Sequence, residues 1–162
     1  MVAAALLFGS ALAAEPAVQR SYDPQKKQTR VYVSFDFLPK GKARDRLGLT
    51  AQGIVEDPSQ IELQFRVESG TAKVTKCKSA TLTADDKKVP LGPFASSGGD
   101  RMQPRGITYY TTTTTKISPK VLAQLGGASR INGKFCGSKL SLKAEQVAAL
   151  RALAVELGAI PK

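Results

Sequence analysis

Between Thr29 and Leu38, the apolar Val31, Val33, Phe35 and Phe37 alternate with Tyr32, Ser34 and Asp36. A period of two is the signature of a strand with one buried face, and Pro39-Lys40-Gly41-Lys42 ends it. The alternation returns at Ile61, Leu63, Phe65 and Val67, interleaved with Glu62, Gln64, Arg66 and Glu68, after the turn signal Asp57-Pro58-Ser59. Between these two, Leu47, Leu49, Ala51 and Val55 trace a weaker strand with Gly48 and Gly53 as bulge positions. Beyond Ser69-Gly70, the segments 72–77 and 79–83 read as shorter strands, and Asp85-Asp86-Lys87-Lys88 reads as a hairpin tip before Val89.

Segment 92–106 is rich in Gly, Pro and Ser and shows no period, so it is expected to be a long connection, either a binding loop or disordered. The run 107–117 that follows holds five consecutive threonines, Thr111 to Thr115, among β-branched and aromatic residues and a single Lys116. Such residues fit a pleated surface. A mucin-like stalk would need interspersed proline, and an ice-ordering surface would need the run to recur over several coils. One threonine strand, paired on both sides with its hydroxyls bonding across, is the reading that remains.

Two helices are marked by their ends. Ser118 as N-cap, Pro119 at the first helical position and Gly126-Gly127 past the end bracket a short one carrying Val121, Leu122 and Leu125. Ser141 is expected to cap a longer, amphipathic one reaching Leu157, with Leu142, Val147, Leu150, Leu153, Ala154 and Leu157 on its apolar side. Its polar side is nearly neutral, which favours packing on a core over lying on a membrane surface. Segment 130–135 forms a strand between the helices. The pattern as a whole predicts a mainly antiparallel β domain, a sandwich or half-barrel, with the short helix and the C-terminal helix covering one open face.

The amino-terminal segment changes the picture by placing that domain in a compartment. Residues 1–13 are uncharged and apolar and close on Ala11-Leu12-Ala13, as a secretory signal peptide does. Glu15 and Pro16 interrupt the run well short of the roughly 20 residues a membrane span needs. Residues 14–28, polar and holding Pro16 and Pro24, are expected to be a flexible lead-in, and 29–162 a single domain. Export, to the periplasm or beyond the cell, makes a disulfide the natural state of Cys77 and Cys136.

Candidate chemistry is mostly removed by composition. The chain has no histidine, so imidazole bases, Ser-His and Cys-His pairs and the commonest zinc ligand are excluded. The stretch 127–134 has the wrong glycine spacing for a phosphate-cradling loop, and Phe135 stands where the magnesium hydroxyl would be. Asp85-Asp86 is followed at once by two lysines and reads as a solvated turn, while Asp36, Glu62 and Glu68 read as ordinary polar strand positions. No cofactor, metal site or catalytic residue is expected.

Charge points elsewhere. The chain carries a net +11, and residues 101–143 hold eight basic side chains and no acidic one. The expected function is therefore a non-catalytic envelope protein that binds an anionic partner, a phosphorylated glycan or lipid or an acidic protein, with nucleic acid disfavoured in that compartment. Arg101 and Arg105 would supply planar donors from a loop, and Lys116, Lys120, Arg130 and Lys134 the surrounding field. A second expectation is an enzyme inhibitor or immunity-type protein that inserts loop 92–106 into an acidic cleft, and a third is a hydrolase working through carboxylates alone.

Overall fold

The structure, a computed structural model, describes residues 17–37, 45–104 and 106–161. The expected signal peptide, residues 38–44 and Arg105 lie outside the described residues. In chain order the elements are β1 (Gln19–Asp23), β2 (Gln28–Phe37), β3 (Arg46–Ile54), β4 (Asp57–Ser69) and a 3-10 turn (Ala72–Lys76). These are followed by β5 (Ala80–Ala84), β6 (Lys87–Lys88), β7 (Phe94–Gln103), β8 (Gly106–Ile117) and α1 (Pro119–Gly127). β9 (Ile131–Phe135), β10 (Ser138–Ser141) and α2 (Ala144–Glu156) complete the chain.

The strands form two antiparallel sheets, one of six strands in the order β1-β2-β3-β4-β8-β7 and one of four in the order β10-β9-β5-β6. The period-two residues of β2, β3 and β4 fall in register, Val33 with Ala51 and Leu63, Phe35 with Leu49 and Phe65, so their apolar sides share one face. The second sheet covers one part of that face, and the Phe65 and Phe135 rings meet across the gap at 5.6 Å between centroids. α1 and α2 pack on one another, with α2 against β2, and cover another part. A Cβ on Gly53 would lie 2.5 Å from Leu157 Cδ1, so the glycine is what lets the end of α2 settle onto β3. The buried apolar side chains of the described residues belong to one cluster, consistent with a single core per domain.

The threonine run is β8, paired with β4 on one side and β7 on the other. Thr111, Thr113 and Thr115 lie opposite Val67, Phe65 and Leu63, and therefore point into the core, where all three are buried. A buried hydroxyl needs a partner. Thr111 Oγ1 donates to the Val74 carbonyl at 2.8 Å and the Thr113 hydroxyl meets that of Ser96 at 3.0 Å. The first of these bonds fastens the 3-10 turn to the sheet, a task valine could not perform.

The structure corrects five boundaries. The lead-in contains β1, which pairs with β2 from Gln19–Tyr32 to Asp23–Gln28, so those residues belong to the sheet. Segment 72–77 is helical, with only Val74 of the turn buried, because one apolar anchor does not sustain a strand. Most of 92–106 is β7, a hairpin partner of β8. α2 begins after Lys143, whose N–H donates to Gln146 Oε1 at 2.9 Å. Ser141 is drawn instead into β10, where its hydroxyl donates to Asn132 Oδ1 at 2.8 Å. Ser118 and Pro119 do start α1, and Ser118 Oγ accepts from Val121 N at 3.3 Å, but Gly126 and Gly127 lie inside the helix rather than past it, and Ala128 caps its end.

Candidate anion-binding surface

The four-stranded sheet is built from short strands that alternate. On β5, Ala80, Leu82 and Ala84 are buried and Thr81 and Thr83 point away from the core; on β9, Ile131 and Phe135 are buried and Lys134 is exposed. Register then fixes the outward rows. Thr81, Lys134 and Lys139 lie side by side across β5, β9 and β10. Lys88, Thr83, Asn132 and Ser141 form the neighbouring row across β6, β5, β9 and β10. None of the four strands contains an acidic residue.

The disulfide adds two more lysines. Cys77 and Cys136 are bonded, 59 residues apart in sequence with Cα atoms 5.4 Å apart, and tie the end of the 3-10 turn to the end of β9. Cys136 and Gly137 have φ of 52° and 78° and form the two-residue turn into β10, a hairpin geometry that requires positive φ at both positions. Beside the bond lies a groove of about 320 Å³ lined by Lys76, Lys78, Ser79, Thr81, Lys134 and the cystine itself. Three of its side chains are cationic and none is anionic.

The nearest acids in the sheet's connections are committed elsewhere. Asp85 and Asp86 form the tight β5–β6 turn with φ of 48° and 64°. The Asp85 carboxylate accepts from Ser129 N at 3.0 Å and Arg130 N at 2.9 Å, and Asp86 pairs with the Arg130 guanidinium at 2.5 Å. Lys134 and Lys139 therefore face one another directly as like charges, an arrangement that costs a few tenths to about 1 kcal/mol in a sheet. An anion seated over the pair would remove that cost.

The six residues expected from sequence are dispersed. Arg101 is on β7 in the other sheet, its guanidinium carbon 5.8 Å from the Tyr110 ring centroid. Lys116 on β8 lies opposite Glu62, Lys120 is exposed in the first turn of α1, and Arg130 is held by Asp86. Arg105 lies outside the described residues. Only Lys134 enters the groove, where it meets Lys76 and Lys78. Lys76 and Lys78 lie in a stretch of sequence balanced in charge, so no asymmetry along the chain marks them. The signal was the arrangement Lys76-Cys77-Lys78, since pairing Cys77 with Cys136 brings both lysines to the end of β9.

Asp36 and Glu68 line a depression of about 190 Å³ on the first sheet, but Arg46 and Arg66 line it with them, and Arg66 is ion-paired to Glu68. Among the described residues no helix is long and apolar enough to cross a membrane. No protein-family model, curated protein or solved structure matches the chain.

Proposed function

We propose that the protein is a non-catalytic binder of a polyanion, which docks on the outward face of the four-stranded sheet. The carrying observation is the set Lys76, Lys78, Lys88, Lys134 and Lys139, none of them ion-paired among the described residues, three along the rows of one sheet and two flanking the disulfide groove. Ammonium groups act as compact point charges suited to phosphate oxygens, and Thr81, Thr83, Asn132 and Ser141 lie among them as neutral hydrogen-bonding groups. Charge-assisted hydrogen bonds from such a surface are shorter and stronger than neutral ones. The disulfide supports an extracytoplasmic setting, where phosphorylated glycans and lipid headgroups present clustered phosphate.

Titration with labelled inorganic polyphosphate at graded sodium chloride tests this reading. Counterion release makes the logarithm of the binding constant fall linearly with the logarithm of salt concentration. Replacing Lys134 and Lys139 together by alanine is expected to make that slope shallower by roughly two, about one for each phosphate no longer neutralised. A slope unchanged by the double replacement would remove this face from the proposal.

A further inference from the structure

A sheet ends in strands whose outer backbone groups are unpaired, and natural proteins blunt such edges with short strands, charge, proline or bulges. Three of the four edges here are treated in this way. β1 has five residues and carries Arg20 and Asp23, β10 has four and carries Lys139, and β6 is the two-residue Lys87-Lys88. β7 is different. It runs for ten residues, is exposed along most of its length, and no described residue pairs with its outer side. From Val89 to Gly99 the chain holds no charged side chain at all.

We propose that β7 is a strand-addition surface and that its occupant is a second copy of this chain, joined antiparallel about a two-fold axis to give one continuous sheet. Such an axis stands normal to the sheet and keeps each copy's inward residues on one side, so only registers pairing residues of like facing are available. Centring on Gly98 places Phe94 opposite Met102 of the second copy, and Ser96 opposite its Asp100. Met102 is 82% exposed and Ile107, its neighbour across β8, 44% exposed; this register gives the Met an apolar partner twice over. Centring on Asp100 or on Arg101 instead would bring like charges face to face. The choice of occupant follows from this self-complementary register, and charge permits it: in a chain carrying +11, β7 is the one of the four edge strands with a long run free of cations, Phe94 to Asp100. Two copies also satisfy each other fully, because the opposite edge, β1, is short and charged and does not continue the array.

The same register sets Ala95, an exposed position, opposite Arg101 of the second copy. The test is sedimentation equilibrium on the full chain and on two variants, Ala95→Lys and Ala95→Glu. The parent is expected to show a concentration-dependent monomer–dimer equilibrium. Two cross-strand pairs change per dimer, so Ala95→Lys should weaken association by roughly 2- to 30-fold and Ala95→Glu should strengthen it over a similar range. Both substitutions are on the surface, and the opposite signs separate pairing from any general loss of fold. A parent that stays monomeric at all concentrations overturns the proposal. So does a dimer whose constant moves in the same direction, or not at all, in both variants.

Discussion

The outward faces of the two sheets are made by the same alternation yet carry charge in opposite ways. On the six-stranded sheet, Arg66 is ion-paired to Glu68, Asp36 and Arg46 share a depression with them, and Lys116 lies opposite Glu62. On the four-stranded sheet, Lys134 lies opposite Lys139 and Lys88 opposite Thr83, with no acid in any strand. The first face is self-compensated and has little to offer an external charge. The second is left with a local repulsion between Lys134 and Lys139 that a bound anion would relieve. A run of cations in the sequence is thus not itself a surface: the fold disperses most of the late basic residues and assembles a new set around the disulfide.

Cutting the tie that assembles the lysine face should have the largest effect. Replacing Cys77 and Cys136 together by serine is expected to lower the unfolding free energy in urea by about 4 kcal/mol, from the loop closed by the bond. A loss below about 1 kcal/mol would mean that the groove is held by packing alone. Next comes Gly133→Ala on β9. A Cβ there would lie 2.6 Å from both Leu82 Cδ2 and the Thr81 carbonyl oxygen, so the second sheet must shift. A cost of about 1–3 kcal/mol is expected in the same urea experiment.

Smaller effects sharpen the electrostatic side of the contrast. Asp86→Asn releases Arg130 from an ion pair whose side chains are 59% and 76% exposed, so stability should change by about 0.5 kcal/mol or less. Polyphosphate affinity should rise slightly in that variant, measured by titration, because one anion has left the margin of the basic sheet. The smallest effect belongs to the balanced sheet. The Thr29 N–H, at 2.7 Å, and then its hydroxyl, at 2.8 Å, bond the Glu56 carboxylate and hold its pKa below the ordinary glutamate value. Hydrogen bonds from Ser59, then Gln60, lower that of Asp57. A group lowered in the folded state adds stability above its unfolded pKa and loses it as pH falls through the folded one. Glu56→Gln should therefore flatten the acid limb of stability against pH, while leaving the neutral region nearly level.

The fold was legible where alternation was strong. Val31 to Phe37 and Ile61 to Val67 announce the two long central strands, the Cys pair was expected from its number and the export reading, α1 from its start signal, and α2 from its apolar spacing but not from its cap. Segments whose stability is supplied by a neighbour were not legible. β7 has no hydrophobic period because it is an edge, ordered by hydrogen bonds to the threonine strand rather than by burial. β1 is polar for the same reason, and Ser141 could not be assigned between cap and strand without knowing that Asn132 lies beside it. The candidate site was legible only at Lys134. Lys76, Lys78, Lys88 and Lys139 are brought near it by register and by a bond spanning 59 residues, neither of which a count of charges along the chain contains.

The sharpest measurement removes equal charge from each face and compares polyphosphate binding at about 0.1 M salt, where surface charges more than about 10 Å apart are screened from one another. One variant carries Lys134→Ala and Lys139→Ala, the other Arg66→Ala and Lys116→Ala. The first should bind at least about tenfold more weakly than the parent, and the second within about twofold of it. Equal losses in the two variants would mean that binding follows net charge alone, and would contradict a dedicated surface on the four-stranded sheet.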